Sequence, residues 1–412
     1  MIETAPLLTP SKPTRLVSID AYRGLVMLAM VSRGFGFPQI AQQDAFRDSR
    51  FWHELAYQFE HVPWVGCSFW DLIQPSFMFL VGTSLAFSFA ARQARGQSYA
   101  QMAGHAAIRA VALILLGIFL RSNGREQTNF TFVDVTTQIG LGYFFLFLLA
   151  GRARWVQWTS AAAILIGYWL LFVLYPAPSA SFDWAAVGVP DDWPHFTGLA
   201  RHFEKNANVA AAFDVWFINL FPLPEPFRFN PGGYATLNFI PSLATMIFGL
   251  LAGELLRSSA SGRRKFWLLI VCGFAALAIG YLLQATNLCP IVKRIWTPSW
   301  AVYSTGWTLL LLAAFYAAIE LTRGSTAKES NTPLAERLVF PLTVVGMNSI
   351  AIYCLDKLIH PWILATFKTH LGPNVFQRFG PAYEPLVQNI VAMTVLWLIC
   401  LWMYRRKIFL RL

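Results

Sequence analysis

Charge is what this 412-residue chain has least of: Asp, Glu, Lys and Arg make up 13% of it, about half the quarter that a soluble domain carries. That scarcity excludes a disordered chain and an ordinary cytosolic enzyme. Cysteine is sparse too. Cys67, Cys272, Cys289, Cys354 and Cys400 are odd in number, scattered and free of any CxxC pair, which argues against a secreted disulfide scaffold or a zinc knuckle. The histidines show no HxxH or HxxxH spacing, so no metal site is expected. No GxSxG, Walker A loop or dinucleotide glycine fingerprint occurs in a strand–helix setting. Serine-hydrolase, ATPase and nicotinamide chemistry therefore lack support. No cleavable signal peptide is expected either, because the first apolar run contains Asp20, Arg23 and Arg33 and no small-residue cleavage pattern follows it. Fixed-period repeats and inverted pairs of broken helices are also missing.

What the chain has is apolar length. Hydrophobic residues reach 56% and include 35 Phe and 16 Trp, and the mean hydropathy is +0.48. A hydrocarbon core needs about 20 apolar residues per helix. The pattern predicts an all-α polytopic membrane protein, a bundle of about ten spans. They lie near 16–35, 68–90, 103–121, 132–150, 155–176, 238–256, 266–284, 298–321, 338–356 and 385–404. An eleventh candidate, 209–223, is short and carries Asp214, so a re-entrant or interfacial helix is expected there. Residues 1–412 read as one integral-membrane domain, with 177–237 as a long outward-facing loop inside it.

The net charge of +11 reads as basic residues at cytoplasmic helix ends rather than as a nucleic-acid footprint. With the N-terminus cytoplasmic, the inner segments hold 17 basic residues: Lys12, Arg15, Arg92, Arg95, Arg152, Arg154, Arg257, Arg263, Arg264, Lys265, Arg323, Lys328, Arg337, Arg405, Arg406, Lys407 and Arg411. The outer segments hold 12 in more than twice the length. Both termini are therefore expected in the cytoplasm of a bacterial-type inner or plasma membrane.

Ionisable groups inside a span are costly, so they tend to be paired or functional. Asp20 and Arg23 sit three apart, on one helix face, where a structural ion pair can form. Asp71 opens the second span, where Pro75 and Gly82 can loosen the helix. Gln138, Asn348 and Asp356 are further polar positions that could serve packing or a ligand. His61, in FEHVPWVGCSFWD, is the sharpest point. It precedes Asp71 by ten residues and can exchange a proton near neutral pH. The long loop holds Trp184, Trp193, Trp216 and several Asp; it could stack and hydrogen-bond a carbohydrate, or simply cap the bundle.

Six blocks, in order, carry a resemblance: RLVSIDAYRGLVMLAMV (15–31), HVPWVGCSFWDLIQPSFMFLVG (61–82), DVTTQIGLGYFF (134–145), FNPGGYATLNFIPSLATMIFGLLAGELLR (229–257), PIVKRIWTPSWAVYSTG (290–306) and FPLTVVGMNSIAIY (340–353). The chain resembles the heparan-alpha-glucosaminide N-acetyltransferase family of transmembrane acyltransferases. The resemblance implies transfer of acetyl from acetyl-CoA across the membrane to a terminal glucosamine amine, with the histidine of the HxxW block as the key catalytic residue. The match falls on His61, as base or transient acyl carrier, with Asp71 orienting it or binding the sugar. Ser32, Trp64, Gln138, Lys293 and Asn348 are the implied substrate-binding positions. Ser32 stands where the family has an asparagine, Ile139 replaces an arginine, and Asn230–Gly233 replaces Asp–Pro–Glu–Gly. These departures bear on the sugar.

The implied partners are acetyl-CoA as co-substrate, a glycan or amino-sugar acceptor on the outer side, and the bilayer. Self-association would take the form of a homodimer, and neither nucleic acid nor metal is expected. Lys293 is expected to meet an acidic acceptor or to snorkel at the interface. Two rival readings stand beside this one: a transporter or permease for a small polar solute, and a non-catalytic member of the family.

Overall fold

A computed structural model of the protein describes residues 16–322 and 334–410. Lys12, Arg15, Arg323, Lys328 and Arg411, five of the basic residues assigned to the inner face, lie outside the described residues. The described residues form an all-α polytopic membrane protein. Nine of their helices are long and apolar enough to cross a bilayer.

In chain order the helices are α1 (Val17–Val31), α2 (Phe37–Ala41), α3 (Arg50–Gln58), α4 (Ile73–Ala94), α5 (Tyr99–Ser122), α6 (Val135–Leu149) and α7 (Arg154–Val173). Next come α8 (Val209–Ile218), α9 (Phe239–Arg257), α10 (Gly262–Ala285), α11 (Pro298–Tyr316), α12 (Leu334–Met347), α13 (Ser349–Leu371) and α14 (Glu384–Arg405). The two long connections, 32–72 and 174–238, lie at one end of the bundle, termed the cap. The ends of α4, α6, α9 and α14 that carry Arg92, Arg152, Arg257 and Arg405 lie at the other.

Between helices in lipid, close packing has to replace the hydrophobic effect, and glycine permits the closest approach. A Cβ built on Gly82 of α4 would lie 1.8 Å from the Met246 carbonyl oxygen of α9, and one on Gly249 would lie 2.0 Å from that of Phe79. Gly24 of α1 and Gly346 of α12 make the same kind of crossing, with Cβ positions 1.8 Å from the Leu342 oxygen and 1.9 Å from the Asp20 oxygen. No rotamer relieves a clash with backbone. Gly82→Val is therefore expected to abolish the monodisperse peak on size-exclusion chromatography in detergent. Gly104→Val, where a Cβ meets nothing within 4 Å, should leave the peak intact.

Three apolar segments depart from the simple span reading. The fourth expected span, 132–150, is α6, whose 15 residues cover about 22 Å at 1.5 Å per residue, short of a full hydrocarbon core of about 30 Å. Asp134 caps it, accepting from the Thr136 and Thr137 N–H groups at 3.0 and 3.2 Å. The segment near 209–223 is α8, ten residues long and too short to span. The expected span 338–356 is corrected: it straddles a break at Asn348, where φ is −123° and ψ is 37°, and so joins the end of α12 to the start of α13. Helix α13 is itself a full-length candidate span. Asp356, Lys357, His360 and Pro361 interrupt its apolar run, and the expected span 338–356 took in only its first residues.

The cap has its own core. Trp64, Tyr168, Phe172, Phe203, Ala235, Val292 and Ile295 pack as one buried cluster. It ties the segment after α3, the connection between α7 and α9, and the turn between α10 and α11 to the top of the bundle.

Candidate active site

His61, Asp71 and Lys293 come together in the cap. His61 lies on the extended stretch after α3, and Asp71 sits in the single 3-10 turn Trp70–Leu72 that opens α4. Lys293 lies in the turn before α11. Two backbone contacts register these pieces: an antiparallel bridge pairs Val65 with Val292, and the Gly66 N–H donates to the Ile291 carbonyl at 3.0 Å.

The Asp71 carboxylate is 1% exposed and fully engaged. Its Oδ2 accepts from the N–H groups of Val62 and Ser68, both at 3.2 Å, and from the Ser68 hydroxyl at 3.0 Å. Its Oδ1 lies 2.8 Å from His61 Nδ1 and 3.2 Å from Lys293 Nζ. Lys293 is 4% exposed, and its Nζ is also 2.9 Å from His61 Nδ1. A buried ammonium needs the carboxylate as counter-ion. In the tautomer protonated at Nδ1, that proton is donated to the Asp71 Oδ1 carboxylate oxygen and the lone pair falls on Nε2. The His61 side chain is 37% exposed, so a group entering from the cap can reach it.

Burial lowers the His61 pKa from its ordinary 6.5; Asp71 opposes this and the Lys293 charge adds to it. His61 therefore stays neutral, with a usable lone pair, to lower pH than a free histidine does. Cys67 nearby is no rival nucleophile, because burial pushes its thiol up to about 12. Among the described residues no three His, Cys, Asp or Glu side chains converge to hold a metal ion.

Trp64 is 4% exposed and donates its indole N–H to the Phe203 carbonyl at 3.1 Å. Gly233 packs on its ring with φ +75°, and a Cβ there would stand 2.6 Å from the ring edge. Arg294, which the sequence reading left among unassigned basic residues, donates to the Val62 carbonyl (3.3 and 3.2 Å) and to the Gly232 carbonyl (2.8 Å). It thereby fixes the backbone just after His61. Ser68 was also missed. Its only sequence signal is its place three residues before Asp71.

The other implied positions lie elsewhere in the network. Ser32 is buried and donates to the Ala29 carbonyl of its own helix end at 2.7 Å. Gln138 donates to the carbonyls of Phe132 and Thr236, joining α6 to the start of α9. Asn348 sits at the break between α12 and α13, where its side-chain oxygen accepts from Leu410 N–H at 3.4 Å. Asp20 and Arg23 lie 3.5 Å apart in α1, and Arg23 also donates to Ser84 and to the Gly346 carbonyl. A second polar group lies beside the α1 end, where Arg33 Nε donates to Asp356 at 3.3 Å and His360 is 3.2 Å from the same carboxylate.

Fold and site together define a helical integral membrane protein with a histidine–carboxylate–lysine group at one end. No protein-family model matches the chain. It is similar to heparan-alpha-glucosaminide N-acetyltransferase of Homo sapiens, at 24% identity over 96% of its length, and to that of Mus musculus, at 22% over 97%. The chain spans about 60% of the length of these curated relatives. The chain is a distant relative of these N-acetyltransferases.

Proposed function

We propose that the protein is an acetyl-CoA-dependent membrane acyltransferase whose acceptor, an amino sugar or envelope glycan, meets the acetyl group at His61 on the cap face. The observation that carries this reading is the part-exposed His61, whose Nδ1 lies 2.8 Å from Asp71, the carboxylate that also faces buried Lys293. An acceptor amine or hydroxyl attacks the thioester carbonyl while its proton passes to Nε2. The carbon–sulfur bond then breaks, and the proton leaves on the coenzyme A thiolate. The products are an acetylated acceptor and free coenzyme A. Arg92, Arg152, Arg257, Arg264 and Arg406 at the end opposite the cap complement the donor's phosphates, which supports a cytosolic orientation of that end. Attack by Nε2 itself, to give a transient acetyl-imidazole, uses the same geometry.

Coenzyme A release by protein reconstituted in vesicles, read by chromatography with and without a panel of amino sugars, tests the reading. Release stimulated by one of the sugars is expected. Failure to bind acetyl-CoA would sink it and favour a solute carrier.

The pH dependence follows from the site. Neutral His61 is the active form, and its pKa lies below 6.5. The acidic limb of kcat/KM should therefore fall below pH 6.5. Lys293→Gln removes a cation that holds that pKa down and leaves Asp71 in place. The limb should then move to higher pH. An unmoved limb would mean that another group titrates.

A further inference from the structure

We propose that Lys205 and Arg294 form an anion site beside His61 that recognises a carboxylate, sulfate or phosphate group on the acceptor. The inference rests on the acyltransferase reading and adds the acceptor's charge class.

Lys293 is not available to a substrate, because it is buried against Asp71. Its sequence neighbour Arg294 and the more distant Lys205 are different. Both are only half-buried. Arg294 donates to neutral carbonyls alone, those of Val62 and Gly232, and its guanidinium lies 5.1 Å from the Tyr234 ring centre. The Lys205 ammonium lies 4.8 Å from the ring centre of Trp193. Its stem packs on Gly233, the residue that abuts Trp64. Among the described residues neither cation has a carboxylate within ion-pair distance.

The acids of this part of the cap are committed elsewhere. Asp71 holds Lys293 and His61. Glu204 uses Oε1 for the Phe196 N–H and for His195 at 3.4 Å, while its buried Oε2 has no hydrogen-bond partner and lies outside ion-pair distance of Lys205 and Arg294 among the described residues. Asp214 accepts from the Thr236 N–H. Lys205 and Arg294 sense each other, for the Lys205 pKa is lowered by burial and then by the Arg294 charge. Two half-buried cations that pack against the adjacent Gly232 and Gly233 and carry no counter-ion are costly unless an anion completes them.

The same part of the cap also carries aromatic rings of the kind a sugar stacks on. Trp64 and Trp193 meet edge-on at 6.3 Å. The buried Trp193 indole N–H has no acceptor among the described residues. An acceptor whose anionic group sits between Lys205 and Arg294 would hold its reacting amine or hydroxyl near His61, since Arg294 is bonded to the residue that follows His61.

The test compares wild type, Lys205→Gln and Gly232→Glu in nanodiscs. A Cβ at position 232 would stand 3.0 Å from Arg294 Nη1, so the introduced glutamate supplies an internal anion. Each protein receives acetyl-CoA with glucosamine, glucosamine 6-phosphate or glucosamine 6-sulfate. Binding of the three sugars is titrated separately without donor. Wild type is expected to favour the anionic sugars by about tenfold or more in KM and Kd, the size of one charged hydrogen bond. Added salt should erode the preference. Each variant should lose about tenfold of it, with the KM for acetyl-CoA unchanged. Equal constants for neutral and anionic sugars in wild type would overturn the proposal. So would variants that raise the acetyl-CoA KM alike with every acceptor, which would give the cations to the donor's phosphates. Anion-selective binding that the variants lose, without any acetyl transfer, would keep the anion site and sink the acyltransferase reading. Transfer without anion preference would do the reverse.

Discussion

His61→Ala is expected to lower kcat for acetyl transfer by about 10³-fold or more, the upper part of what a positioned acid–base group supplies, and to leave the folded protein in place. The first half follows from Nε2, the ring nitrogen on the side away from Asp71, in a side chain that is 37% exposed. The second half follows from what His61 does not hold. Without the imidazole, Asp71 keeps Lys293 and the donors from Val62 and Ser68. Detergent melting temperature and kcat, measured on the same preparation, separate the two. Full activity in the variant would remove His61 from the chemistry. Loss of both activity and the folded state would make it a structural residue.

Asp71→Asn should cost both. An asparagine amide facing Nδ1 donates where the carboxylate accepted, so the ring proton moves to Nε2 and the lone pair needed there is lost. A drop of about 10² to 10⁴ in kcat is expected from the wrong tautomer. The substitution also strands Lys293, 4% exposed, without a counter-ion, and breaking a buried pair from one side costs about 3–5 kcal/mol. Adding Lys293→Met removes the stranded charge. The double variant should recover most of the melting temperature and none of the activity. Recovery of activity would mean that Asp71 serves only as the counter-ion of Lys293.

The contrast between these residues shows what the sequence could reveal. His61 and Asp71 lie ten apart in one segment, so their meeting needs only the short turn between them. Lys293 is 232 positions from His61. Nothing in its neighbourhood distinguishes a snorkelling lysine from one buried under a catalytic ring, because only the pairing of Val65 with Val292 sets the register. Arg294 and Lys205 were hidden for the same reason. Helices α5 and α10 were legible because their apolar runs are long and strongly hydrophobic, whereas α13 is less apolar and its start was absorbed into the expected span 338–356. Ser32 and Gln138, implied by their motifs as substrate-binding, each donate to backbone carbonyls, and the buried Gln138 side-chain oxygen has no partner among the described residues. A polar side chain in a span has few partners to choose from, and motif position does not say which one it takes.

Radiolabelled acetyl-CoA, given to wild type and His61→Ala in the same vesicles with glucosamine 6-phosphate as acceptor, is the measurement to make. Label on the sugar, or held on the protein in wild type and absent from the variant, is the result expected from a base or acyl carrier at His61. Label that reaches the sugar equally in both proteins, or reaches neither the sugar nor the protein while acetyl-CoA goes unbound, would contradict it.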